Sequence, residues 1–261
     1  MSLIVVFASV IRIIRLEYKH RLTTDELAYS RLAEDIYQNK ISKDQTGITV
    51  VFHNAADFIQ PRVYHPPAEK KPPLLILIMV WGAQLGFSAY AAGICFNILC
   101  GSLLVVPSFI IGKSVFKSNS KGLCIALITA TIPYYIRYST CALRDIPYIF
   151  FSVSSLCAAM YGIEKKKIYM WSVCGCFTGL AAAMRFEWIE AAAICIGWLT
   201  VNSVVYLFKR KLHDANYTLL ALGLWIAAFA VITVVIDFIA RNYGMPHIDL
   251  FSRYAGLIMR F

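Results

Sequence analysis

The chain has 261 residues, of which 59% are apolar and only 15% charged, against roughly 45–50% and about 25% in an ordinary soluble domain. With a mean hydropathy of +0.63 and apolar runs of about sixteen to twenty-four residues, longer than a globular core requires, this composition excludes a soluble globular protein. The formal charge of +10 does not point to nucleic acid, because the 25 Lys and Arg are scattered between apolar runs and form no single basic face; membrane lipids are the expected surroundings.

Residues 1–16 are apolar apart from Ser2, Ser9, Arg12 and Arg15, a short span that would need its arginines to snorkel. Leu16-Glu17-Tyr18-Lys19-His20 follows without a small-x-small cleavage site, so an uncleaved first transmembrane helix is expected. Residues 17–73 are polar and hold eight of the fifteen acidic residues. Residues 74–87 are a fourteen-residue apolar run, a length suited to an interfacial or re-entrant helix, so 17–87 is read as one outer loop carrying helices.

Further spans are expected at about 88–111, 123–138, 146–163, 168–184, 188–208 and 217–240. Alternate links between them carry Lys113, Lys117 and Lys121, then Lys165 to Lys167, then Lys209, Arg210 and Lys211. By the positive-inside rule these links are cytoplasmic. Residues 17–87, the link around Arg137 to Asp145, the bend at Arg185 to Glu190 and the tail 241–261 then face outward, around a bundle at 88–240. The fold class expected is an all-α integral membrane protein with about seven transmembrane helices. Eight cysteines lie nearly all inside apolar runs, and Cys174-x-Cys176 lacks the spacer of a zinc knuckle, so no metal or redox chemistry is expected at cysteine.

The outward charges are the candidate functional residues. Thr23 and Glu26 have capping-box spacing, and Tyr29, Leu32, Ala33, Ile36 and Tyr37 recur with a helical period, which predicts a helix from about 24 to 38. Glu26 has a capping duty in that reading; Asp25 has none and stands at the membrane edge, where a base could meet a lipid-borne substrate. Lys70-Lys-Pro-Pro73 could bind phosphate or anionic lipid. Asp145 could cap the helix it opens, or form an acid and anion site with Arg144. Arg185 and Glu187 interrupt a long apolar run, either neutralising one another at a turn or lining a polar cavity. His53 and His65 lack ligand spacing.

In order along the chain, a first helix, Asp25-Glu26 with Tyr29, Lys71-Pro-Pro-Leu74, Gly112-Lys113, Pro133 through Arg137-Tyr-Ser139 to Leu143-Arg-Asp145, and Arg185-Phe-Glu187 with Glu190 resemble the polyprenyl-phosphate-sugar-dependent glycosyltransferases of the GT-C superfamily. The likeness is to family 39, which includes protein O-mannosyltransferases and lipid A aminoarabinose transferase. It implies a GT-C-like helical bundle and transfer of a sugar from a polyprenyl-phosphate donor to a hydroxyl of a lipid, glycan or protein acceptor. Asp25 would be the catalytic base, with Glu26 beside it and Asp145 the acid of the second outer loop. Lys71 would contact the lipid phosphate, Arg144 the phosphate or sugar, and Arg185 and Glu187 the same cavity. No metal ligand is assigned, and a divalent ion is the cofactor left open. The location implied is the plasma (inner) membrane, multi-pass, with the active face outside the cytoplasm and a role in the cell envelope. Members usually continue further, so a truncated homologue is one alternative; a non-catalytic carrier or transporter of lipid-linked sugar, which would not need Asp25, is another.

Overall fold

The computed structural model describes residues 1–17, 23–38, 73–185, 189–209, 212–243 and 245. They form eleven helices and no strand: α1 Ser2–Glu17, α2 Thr24–Tyr37, α3 Pro73–Gln84, α4 Ala89–Leu103, α5 Val105–Phe116, α6 Asn119–Thr131, α7 Pro133–Ser139, α8 Asp145–Lys165, α9 Tyr169–Met184, α10 Ile189–Phe208 and α11 Leu212–Asn242.

Prolines decide where the expected spans break. Pro107 cannot donate to the carbonyl of Leu103, and the helix started by the Ser88 cap is interrupted at Leu104, dividing α4 from α5. Pro133 forces Ile132 into an extended conformation, ψ 119°, and splits the expected span 123–138 into α6 and α7. Three helical stretches among the described residues are long and apolar enough to cross a membrane: Ala89–Phe116, which runs on through the break at Leu104, Asp145–Lys165 and Asp214–Asn242.

Close packing depends on small residues. A Cβ at Gly175 would lie 2.3 Å from the Trp225 carbonyl oxygen, and one at Gly179 would lie 2.8 Å from Ile232 Cγ2. These two glycines, four residues apart, therefore let α9 lie directly on α11. Helix α3 is covered by protein along most of its length, with Leu75, Leu77, Met79 and Val80 fully buried, and it packs on α2, α4, α9 and α11.

Arg12 departs from the snorkelling expected of it. It is fully buried: Nη1 donates to Ala8 O at 2.8 Å and Nε to Ser139 Oγ at 3.1 Å. Any Cβ at Gly101 would stand 2.1 Å from that same Ser139 oxygen. Arg12, Gly101 and Ser139 thus join α1, α4 and α7; the guanidinium is held inside the protein through Nε and Nη1, while Nη2 is buried without a hydrogen-bond partner among the described residues.

The two ends of α8, about 31 Å apart at 1.5 Å per residue over its 21 residues, mark two poles. At the Lys165 end, Ser114 Oγ donates to Glu164 at 2.9 Å, Lys117 pairs with Glu164 at 3.5 Å and Lys166 with Asp214 at 3.4 Å. At the Asp145 end gather the start of α2, the α7–α8 connection and the end of α9. The ends of α3 and α11 meet each other through Trp81 Nε1 and Gln84 Nε2, which donate to Tyr243 Oη at 3.2 and 3.3 Å.

Candidate active site

The Asp145 pole is assembled from its caps. Thr23 takes an extended conformation before α2, and its Oγ1 accepts from Glu26 N at 3.3 Å. Glu26 Oε2 accepts from Thr23 N at 2.9 Å and from the Thr23 hydroxyl at 3.0 Å. This is the capping box that the spacing predicts. What the spacing does not reveal is the second oxygen: Glu26 Oε1 accepts from Ala142 N at 2.8 Å, across 116 residues of chain. Glu26 is fully buried, and a carboxylate removed from water is supported by such charge-assisted bonds. It pins the start of α2 to the α7–α8 connection.

That connection is itself shaped by local bonds. Thr140 Oγ1 donates to Arg137 O at 2.8 Å, and Cys141 N to Tyr138 O at 3.3 Å. The chain then enters α8 at Asp145, with Pro147 in the first turn, where a missing N–H costs nothing.

Asp145 Oδ1 accepts from Arg185 Nη1. Both side chains are about a quarter exposed, at 21% and 26%. Arg185 closes α9 in an extended conformation, and its guanidinium carbon also stands 5.6 Å from the Tyr148 ring centroid, a cation–π distance. The pair of Asp145 with Arg185 spans 40 positions and is not among the partnerships that the sequence suggests.

Asp25 precedes Glu26 and is exposed. One turn along α2 from it lies Tyr29, 7% exposed. Burial pushes the Tyr29 phenol up to about 12; Arg144 opposes this, Asp25 and Asp145 add to it, and Arg185 opposes it. Four of the charged candidates, from three separated segments, are therefore within electrostatic range of one buried hydroxyl. Tyr134 of α7 also lies within range of Asp145 and Arg185.

Lys71 and Glu187 lie outside the described residues, as do His53 and His65. Among the described residues no three His, Cys, Asp or Glu side chains gather as a metal site. Sequence reasoning placed Tyr29 on the helix but gave it no role; its offset of four from Asp25 was the available signal.

A helical membrane protein with acids and guanidinium groups concentrated at one end of its bundle is suited to handling an anionic, lipid-borne substrate. The family model for dolichyl-phosphate-mannose-protein mannosyltransferase matches residues 70–236, well over half of the chain, and the chain belongs to this family. It is a GT-C type membrane glycosyltransferase of the kind that uses a lipid-linked sugar donor. No curated protein and no solved structure gives a significant match. The matched region begins at Lys70-Lys71 and includes Arg144, Asp145 and Arg185; Asp25 and Glu26 precede it.

Proposed function

We propose that the chain transfers a sugar from a polyprenyl-phosphate donor to the hydroxyl of a protein, glycan or lipid acceptor, with Asp25 as general base. The supporting observation is the gathering of Asp25, Arg144, Asp145 and Arg185 around the Tyr29 hydroxyl.

In this reading the acceptor hydroxyl loses its proton to Asp25 as its oxygen attacks the anomeric carbon. The new carbon–oxygen bond forms as the bond to the phosphate oxygen breaks, and the polyprenyl phosphate leaves with the electron pair. Asp145 is engaged by Arg185, so the exposed Asp25 is the acid better placed to take a proton. Arg144, half-buried beside Asp145, and Lys71 neutralise the leaving phosphate, whose charge such cations stabilise. The family resemblance assigns Arg185 and Glu187 to binding the same substrate. Glu26 acts by position, since its described oxygen contacts are used in holding two segments together. Tyr29 remains protonated at any physiological pH and is available as a donor to a sugar or phosphate oxygen.

The site faces away from the cytoplasm in this proposal. The basic links fall at the other pole, where Lys117 and Lys166 are exposed, and the positive-inside rule assigns that pole to the cytoplasm. The protein is then a multi-pass protein of the plasma (inner) membrane, acting in the cell envelope.

The test is sugar transfer in membranes supplied with polyprenyl-phosphate sugars. Asp25→Asn is expected to reduce transfer about 10²–10⁴-fold with unchanged expression and thermal midpoint. Transfer retained within a few fold would remove the mechanism, and donor binding without transfer by the wild type would favour a carrier.

A further inference from the structure

Away from the charged pole, a small polar cluster lies inside the contact of α8, α9 and α10. Ser155 Oγ lies 2.8 Å from Thr178 Oγ1, and 3.2 Å from both the carbonyl oxygen and the sulfur of Cys174. Cys174 Sγ in turn stands 3.7 Å from Cys195 Sγ. Both cysteines are fully buried, beside the stacked rings of Trp171 and Trp198. The sequence couples Cys174 with Cys176; the structure turns Cys174 toward α10 instead, because α9 carries residues 174 and 176 about 200° apart.

We infer that Cys174 and Cys195 form a redox-active dithiol that closes to a disulfide between α9 and α10. A disulfide requires the sulfurs to approach to about 2.0 Å, from the 3.7 Å at which they stand. Because the pair is surrounded by apolar side chains inside a membrane bundle, the fitting oxidant is lipid-soluble and accepts two electrons, as a quinone does. The step balances: two S–H bonds break, one S–S bond forms, and the quinone takes two electrons and both protons to become a hydroquinone. The Ser155 and Thr178 hydroxyls are placed to pass protons from Cys174. The bond joins α9 to α10 and closes a loop of chain between positions 174 and 195, so oxidation restricts the unfolded state.

The experiment treats the full-length protein in lipid nanodiscs with a short-chain quinone, blocks remaining thiols after denaturation, and maps linked peptides by mass spectrometry. A Cys174–Cys195 linked peptide is expected in the majority of molecules, reversed by a thiol reductant. Cys100 and Cys157, also buried, should stay alkylatable. Cys195→Ala is expected to abolish the link and leave Cys174 alkylatable, and the oxidised wild type should melt several degrees above the reduced form, a shift missing from the variant. Full alkylation of both cysteines after quinone treatment overturns the inference. So does a link from Cys174 to any other cysteine in its place.

Discussion

The two ends of the bundle both carry ion pairs, and they use them differently. At the lysine end, Lys117 and Lys166 are 72% and 75% exposed; water competes with each bond, and such pairs contribute little to stability. At the other end, Glu26 is fully buried and Asp145 and Arg185 are about three-quarters buried, each reaching a partner from a distant segment. Charge in the first case stays largely in water. In the second it ties together separate segments of the chain, and removing one partner there leaves another group stranded in the protein.

The sharpest way to break this contrast is at Glu26. Glu26→Leu should cost on the order of 3 kcal/mol in unfolding free energy, from a lost cap and an orphaned buried N–H at Ala142, measured as a lower thermal midpoint in detergent. A loss no larger than that of an exposed lysine variant would put the two poles on the same footing.

Tyr29 offers a pH signature. Its folded value near 12 exceeds the ordinary 10.0, so the unfolded chain loses this proton first as pH rises. The stabilisation from Tyr29 is intact below pH 10 and is lost as pH climbs through 12, on the order of 2 kcal/mol. Tyr29→Phe should flatten that part of the alkaline stability curve, and a curve identical to the wild type would show that the hydroxyl is not buried among these charges.

For Asp145 and Arg185, a double-mutant cycle with Asp145→Asn and Arg185→Gln should return a coupling of about 1 kcal/mol, modest because both side chains keep some contact with solvent. The same cycle on Lys166 and Asp214 should return none that is measurable. The smallest effect is expected at Lys166 itself, which closes α8 in the left-handed region at φ 50°. Lys166→Gly should hold or slightly raise the thermal midpoint, since glycine takes that conformation without strain. A fall of several degrees would mean that the lysine end has a structural role beyond solvated charge.

Local features were legible in the sequence where local chemistry sets them. The Thr23–Glu26 cap follows from a three-residue spacing, and the apolar runs correspond to helices because a lipid-phase chain must satisfy its backbone within each segment. Pro107 and Pro133 were visible, yet the breaks at Leu104 and Ile132 were absorbed into single expected spans because hydropathy does not register a missing N–H. Partner choice was not legible. Asp145 has Arg144 as its neighbour in sequence but Arg185 as its partner in space, and nothing in the helical period says that Glu26 reaches Ala142 or that Cys174 faces Cys195. Arg12 shows the same limit, since an arginine near a helix end is ordinarily read as snorkelling until Gly101 and Ser139 are seen to make room for it inside. The family resemblance located the candidate acids; their convergence required the fold.

The proposed site requires Asp25 and Asp145 to lie close together, and proximity cross-linking measures this directly. In a cysteine-free background, Asp25→Cys with Asp145→Cys should be joined within one molecule by a short-armed bismaleimide, while Asp25→Cys with Lys166→Cys, at the opposite pole, should not. If both cysteines of the first pair react singly yet no link forms between them, the site described here does not exist.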